Sequence, residues 1–284
     1  MAFTDWPTSD GQNMLLYPWL NDLKHTDRFT EHGHRLAGMV IGLTSIVLVT
    51  LAFLRERLLW VRWFSIAILI AVIGQGLLGG ARVLMDASLL AMVHSITGAL
   101  FFAMCVAFAM LTSRQWTTSR KSISDQDHSP LSLPASVLVI ALPFLVLMQY
   151  WLGGMFRHMG RMMFEHLAGA GIVALTGMAC AILLLRSESK VLRRSGTGIL
   201  LALLLQLGLG TGAWLTKLNV PWLGWVASTG SLSSVVFRSM HTIGGMLLLT
   251  AAVLAAVHVA RQLSWHSVPS PLTLEGSVSE EGLA

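Results

Sequence analysis

The chain has 284 residues, of which 54% are hydrophobic and 12% are charged, whereas ordinary soluble domains carry roughly 25% charged residues. Its apolar residues form runs of about 20 rather than the short alternating segments of a membrane barrel, so the composition predicts an all-α integral membrane protein. The formal net charge is +5, but the basic side chains lie in short loops beside apolar runs, where they set topology. No nucleic-acid partner is therefore predicted.

Seven apolar runs are long enough to cross a bilayer. The transmembrane spans are predicted at about 36–54, 63–81, 88–112, 134–154, 163–185, 195–217 and 235–260. Residues 1–35 form a polar outer-face segment ahead of them. A cytoplasmic linker at 114–133 separates a three-helix half, 36–113, from a four-helix half, 134–262. The end of the chain, 263–284, is rich in Ser, Pro and Glu and is predicted to be a disordered cytoplasmic tail.

The Lys and Arg residues beside the spans predict the orientation, because eleven fall on one side and eight on the other. This bias places the N-terminus outside and the C-terminus in the cytoplasm, in a membrane predicted to be a bacterial cell membrane. Four histidines, His34, His94, His166 and His241, then lie within about the first two turns of helices that run inward. At 1.5 Å per residue, they sit no more than roughly 10 Å below the outer boundary.

The two halves repeat a pattern of histidine, glutamine and glycine. Three pairs of segments match: 34–38 with 166–169, 75–81 with 206–213, and 94–98 with 241–245. Equivalent helices run in the same direction, so the repeats are parallel. The span at 134–154 has no counterpart ahead of His34, which leaves the first half one helix shorter than the second.

A histidine inside a membrane is costly and marks a candidate functional site, although one that bonds to a neighbouring helix can be purely structural. Four at one depth, paired by a repeat, favour function. Zinc would need three or four ligands at each site, whereas two histidines per half fit an iron porphyrin with one imidazole on each face. The predicted iron ligands are His34 with His94 and His166 with His241. The flanking glycines suit either a flat macrocycle or close helix packing.

Glu31 stands three residues before His34, on the same face if the helix extends that far back. Two interpretations stay open: a first-turn acid favoured by the helix dipole, or a carboxylate that shuttles protons or acts on a reactive porphyrin substituent. Four arginines border the sites and either pair with porphyrin propionates or anchor helices at the interface: Arg35, Arg82, Arg157 and Arg238. The remaining histidines are predicted to be solvated or interfacial: His25, His32, His128, His158, His258 and His266.

The chain resembles heme A synthase, the membrane enzyme of cytochrome oxidase assembly. The resemblance rests on the segments 5–8, 11–14 and 153–158, and on Glu31-x-x-His34 combined with three further histidines in a two-half repeat. It implies eight helices in two four-helix halves, so the first helix of that pattern is predicted to be missing from this sequence. It also implies the oxidation of the methyl group at position 8 of heme O to the formyl group of heme A, through successive hydroxylations.

The resemblance implies that His34 and His94 bind heme O as substrate and heme A as product, with Glu31 as the essential carboxylate. The residues implied to hold a heme b cofactor are His166, His241, Arg157 and Arg238. Candidate partners are heme O synthase, cytochrome oxidase assembly factors, the lipid bilayer and a second copy of the chain. The alternative functions are a diheme electron-transfer protein of cytochrome b type, which needs the histidines but not Glu31, and a heme-delivery or assembly protein.

Overall fold

The computed structural model describes residues 3–117, 131–217, 226 and 230–266, the side chains of the last three excepted. Its seven long helices are α1 (Thr26–Arg55), α2 (Leu59–Leu84), α3 (Ser88–Thr112), α4 (Leu133–Met159), α5 (Met163–Leu185), α6 (Lys190–Leu215) and α7 (Leu232–His266). The described residues contain no strand. All seven helices are long and apolar enough to cross a membrane, which confirms an all-α, multi-pass integral membrane protein.

Helices α3 and α5 have the bounds predicted for their spans, and α6 ends at Leu215 and not at 217. The other five helices begin before or end after their predicted spans, because hydropathy marks only the part of a helix that the hydrocarbon covers. The largest difference is in α1, which begins at Thr26 and not near residue 36. Its polar first turns contact a short 3-10 helix, Trp19–Lys24. Glu31 and His34 are therefore both helical. Most of the predicted linker and of the predicted tail lies outside the described residues.

Two compact units divide the chain. Unit 1 comprises Met1–Arg120 and Leu147–Ala170, and unit 2 comprises Lys121–Val146 and Gly171–Ala284. Unit 1 thus holds α1, α2 and α3 with the end of α4 and the start of α5. Unit 2 holds the remaining parts of α4 and α5 with α6 and α7. The division into halves at 36–113 and 134–262 stays a prediction.

Within unit 1, α2 packs against both α1 and α3. Val61 and Ile68 of α2 and Phe108 of α3 form a buried apolar cluster. The ring of Phe64 stacks on that of Phe108 with the centroids 5.1 Å apart. This cluster aligns α2 with α3 and so fixes the register of the residues at the other ends of the two helices.

Within unit 2, α6 packs against α7 and approaches α5 closely. A Cβ added at Gly196 of α6 would lie 2.9 Å from the backbone oxygen of Ala181 and equally close to the Cβ of Leu184. Only a glycine leaves room for this approach, as is usual where membrane helices pack backbone to backbone.

Residues 3–25, which we call the N-terminal cap, fold over the first turns of α1. Phe3 is completely buried, and the guanidinium groups of Arg28 and Arg35 lie over its ring, each 5.1 Å from the centroid. The indole of Trp6 packs directly on Gly80 of α2. The cap is therefore held by both α1 and α2.

Candidate functional site

The structure brings two of the predicted histidines together. The rings of His34, on α1, and His94, on α3, have centroids 6.1 Å apart and planes at 89°. His34 is exposed and His94 is half-buried. The His94 ring also packs on α2, where a Cβ at Gly79 would lie 3.3 Å from its Cε1. Three helices of unit 1 thus converge on this pair.

The spacing of this pair fits two imidazoles bound to opposite faces of one iron porphyrin. With metal–nitrogen bonds of about 2 Å and roughly 1 Å from each nitrogen to its ring centre, the centroids would be about 6 Å apart. The Nδ1 atom of His94 is buried and makes no hydrogen bond of normal geometry with the described residues. Across those residues, no group of three or more His, Cys, Asp or Glu side chains is placed to hold a metal ion. The donors present therefore suit a two-histidine site rather than a zinc-type cluster.

Glu31 lies beside this pair. It precedes His34 by three residues, which places both side chains on one face of α1. Asp27, and not Glu31, is the acidic residue in the first turn of α1, so the interpretation of Glu31 as a first-turn acid is wrong. Its Oε1 accepts a hydrogen bond from Arg35 Nη2 at 3.1 Å, and only 14% of its side chain is exposed. A carboxylate this sheltered has a fixed position and a defined partner.

Arg35 binds the N-terminal cap. Its Nη1 donates to the backbone oxygens of Asp5, at 3.0 Å, and Thr8, at 2.6 Å, and its side chain is 7% exposed. Neither a propionate-binding role nor a simple interfacial anchor describes this geometry. Arg35 ties the N-terminal cap to Glu31. Arg82 is placed differently, since its charge acts on both His34 and His94.

His32 is buried, with 1% of its surface exposed, so the prediction of a solvated or interfacial residue is wrong for it. Its Nδ1 lies 3.1 Å from Ser9 Oγ, and its ring lies 4.8 Å from that of Tyr17. The Tyr17 hydroxyl donates to Asp22 at 2.5 Å. That hydrogen bond, burial and the negative charge of Asp22 together raise the pKa of Tyr17 to about 12. Polar groups of the cap are thus paired with one another and with His32 of α1.

A turn at residues 5–11 completes the cap. The Asp5 carboxylate accepts hydrogen bonds from the backbone N–H groups of Asp10, at 3.1 Å, and Gly11, at 2.9 Å, and Asp10 pairs with Arg28 of α1. Burial alone would raise the pKa of Asp5, but the hydrogen bonds of Thr8 and Gly11, with the charge of Arg35, bring it below its usual value. The cap is a folded element and not a loose leader to α1.

His166 is half-buried near the start of α5. The Nε2 of Gln149, on α4, lies 2.8 Å from the backbone oxygen of His166 and 3.0 Å from its Nδ1. A Cβ at Gly153, one turn further along α4, would lie 2.9 Å from the Cε1 of the ring. The sequence analysis missed Gln149, although its four-residue spacing from Gly153 repeats that of Gln75 from Gly79.

His241, in unit 2, has a similar setting. The Nε2 of Gln206, on α6, lies 3.5 Å from the Nε2 of His241, and a Cβ at Gly210 would lie 2.8 Å from the Cε1 of that ring. His166 and His241 belong to different units, and their pairing around one heme stays a prediction.

The predicted arginine partners of heme b are placed at the ends of helices. Arg157 is exposed in the last turn of α4, and Arg238 is half-buried three residues before His241. Sequence reasoning missed Lys217, which follows α6. Burial first, and then the charge of Arg238, lower the pKa of Lys217.

The other histidines differ in exposure. His25 is exposed, as predicted. His258 is half-buried, and its Nδ1 lies 3.0 Å from Ser195 Oγ of the neighbouring helix, so a purely solvated position is wrong for it. His158 is also half-buried. His128 and the side chain of His266 lie outside the described residues.

A family model described as "Cytochrome oxidase assembly protein" (COX15-CtaA) matches residues 20–163, which is just over half of the chain. The matched segment includes Glu31, His34, His94 and Arg157, and it ends before His166. No curated protein and no solved structure matches the chain. The chain belongs to the heme A synthase family of cytochrome oxidase assembly proteins, membrane oxidoreductases that act in heme A synthesis.

Proposed function

We propose that the protein is a heme A synthase-like oxidoreductase that converts the methyl group at position 8 of heme O to the formyl group of heme A. The observation that carries the proposal is the pair of His34 and His94 rings, 6.1 Å apart, with Glu31 three residues ahead of His34 on the same helix. Family membership supports the same conclusion.

In this proposal His34 and His94 hold the iron of the substrate, one on each face. The net change from methyl to formyl removes four electrons and four protons when water supplies the oxygen atom, and the four electrons pass to an external oxidant. Protons leaving the substrate need an acceptor next to the site, and Glu31 is the sheltered carboxylate in that position. Arg35 holds Glu31 in place through the hydrogen bond from its Nη2.

The three arginines other than Arg35 are candidate partners for heme propionates. Arg82, whose charge reaches both His34 and His94, is the candidate partner for a propionate of the substrate. Arg157 and Arg238 are the candidate partners for heme b, with His166 and His241 as its ligands. Heme b, when bound, supplies one-electron transfer. Lys217 adds a second cation near Arg238.

The proposal is tested by co-expressing the chain with a source of heme O and extracting the hemes. We expect heme A with the unmodified chain and with His25→Ala, whose side chain is exposed. We expect none with His34→Ala or His94→Ala. Heme O bound in full amount without any heme A would contradict the enzymatic proposal and favour an electron-transfer protein of cytochrome b type. Reversible heme binding without redox chemistry would favour a heme-delivery protein.

A further inference from the structure

Three helix pairs of this chain hold a histidine in the same way. In each, a glutamine and a glycine four residues later lie on one helix, and the histidine lies near the start of the next: Gln75, Gly79 and His94 on α2/α3; Gln149, Gly153 and His166 on α4/α5; Gln206, Gly210 and His241 on α6/α7. The three residues of each of the first two sets lie in unit 1, and those of the third set lie in unit 2. We call this arrangement the histidine seat.

The glycine of each seat receives the edge of the imidazole ring. The atom nearest to an added Cβ is the ring Cε1 in all three seats, at 3.3 Å for Gly79, 2.9 Å for Gly153 and 2.8 Å for Gly210. Nδ1 is the second nearest atom and Nε2 the third in every case. The ring orientation against the first helix is thus repeated three times, and an alanine at Gly153 or Gly210 would push the ring away.

The glutamine of each seat packs against a glycine that follows the histidine. A Cβ at Gly244 would lie 2.5 Å from Gln206 Oε1, and one at Gly98 would lie 3.7 Å from Gln75 Oε1. Gln149 Oε1 is in the same position against Gly169. The two glycines of each seat therefore lock the glutamine and the histidine side by side.

The Gln149 amide has an unused acceptor. Its Oε1 is buried and makes no hydrogen bond with the described residues, while its Nε2 lies 3.0 Å from His166 Nδ1. The same Nε2 donates to the backbone oxygen of His166 at 2.8 Å. Gln149 therefore ties the start of α5 to α4 and lies against the Nδ1 edge of the His166 ring.

We propose that the glutamine and glycine of the seat are positioning residues: Gln149 with Gly153 fixes the position and the ring plane of His166, and Gln206 with Gly210 does so for His241. The inference rests on the proposed function only in that it takes these histidines as heme ligands. It goes beyond that function because it assigns four residues of α4 and α6 that touch neither the substrate nor the iron.

The glycine contact is tested with two alanine variants of one helix. Gly210→Ala meets the His241 ring, whereas Gly208→Ala meets nothing within 4 Å. The purified full chain is titrated with hemin, and the low-spin signal of bis-histidine iron is followed by electron paramagnetic resonance. We expect Gly210→Ala to weaken hemin binding by about 10- to 100-fold and to convert low-spin iron to high-spin. Equal affinity and equal spectra for the two variants would overturn the proposal.

The glutamine contact is tested with Gln149→Leu, which has a similar size and removes the Nε2 donor to the backbone oxygen of His166. We expect this variant to bind hemin more weakly and to lose part of the low-spin signal, because the His166 ring is then less firmly oriented. Equal affinity and an equal low-spin signal in Gln149→Leu and the unmodified chain would overturn the proposal. Wild-type protein that binds hemin in this way but forms no heme A would contradict the proposed function alone.

Discussion

The start of α1 and the α6/α7 pair both present a charged residue three positions before a histidine, but the charges are opposite. Glu31 precedes His34 in unit 1, and Arg238 precedes His241 in unit 2. A carboxylate can take up protons from a neighbouring reaction, whereas a guanidinium, which stays protonated, can only neutralise an anion. The two predicted two-histidine sites can therefore differ in chemistry, with a reactive site beside Glu31 and a cofactor site beside Arg238.

The two regions also differ in which side chain the neighbouring residues hold in place. Glu31 is bonded to Arg35, which is itself bonded to the backbone of the N-terminal cap. His241 is held instead by Gln206 and Gly210 of the neighbouring helix. On the proposed function, the N-terminal cap fixes the Glu31 carboxylate, and the histidine seat fixes the heme ligand His241.

Replacing one histidine of each region should give the largest difference between the two regions. We expect His241→Ala to weaken heme b binding by more than about 100-fold, since the loss of an outer-shell partner alone typically costs 10- to 100-fold. His34→Ala should leave the heme b signal intact. The measurement is a hemin titration followed by absorbance, with His258→Ala as a half-buried histidine control. Loss of the same heme in His34→Ala and His241→Ala would mean that the two regions form one site.

Removing the Arg35 guanidinium should loosen the cap. Arg35→Met removes one hydrogen bond to the sheltered Glu31 carboxylate and two to backbone oxygens of the cap. Breaking a buried pair in this way costs about 3 kcal/mol, so trypsin should cleave at Lys24 and Arg28 about 100-fold faster if opening precedes cleavage. Arg55→Met, at the exposed far end of α1, is the control. Equal cleavage rates in the two variants would show that Arg35 does not hold the cap.

Ionising Tyr17 at high pH should destabilise the cap less than removing the Arg35 guanidinium does. The pKa of Tyr17 is raised from 10.0 to about 12 by Asp22, so the stability from this hydrogen bond is present below pH 10 and is lost as the pH rises through 12. The chain has two tyrosines, and in a Tyr150→Phe background the tyrosinate absorbance reports Tyr17 alone. We expect its midpoint to fall towards 10 when Asp22→Ala is added. A midpoint near 10 with Asp22 present would contradict this account of the cap.

The membrane spans and the meeting of His34 with His94 could be predicted from the sequence. Each span needs only a long apolar run, and the histidines stand in short motifs that occur twice. Both signals are local. Helix α1 shows the limit of such signals, because its polar residues from Thr26 onward are helical and contact the cap, and hydropathy does not reveal either fact.

The cap itself could not be predicted, because its contacts join residues far apart in sequence. Ser9 meets His32, and Asp5 meets Arg35, and no periodicity reveals such pairs. Gln149 was missed for another reason. Its spacing from Gly153 is visible in the sequence. However, aligning the two halves on the four histidines pairs Gln75 with Gln206, so a third glutamine at 149 has no counterpart.

The central claim is that Glu31 performs chemistry and does not merely support the fold. The most direct test compares Glu31→Gln with Glu165→Gln, an exposed acid in the first turn of α5 beside His166, in cells that supply heme O. The account predicts that Glu31→Gln still binds heme O while heme A formation falls about 100-fold or more, and that Glu165→Gln forms heme A normally. Normal heme A formation by Glu31→Gln would contradict it.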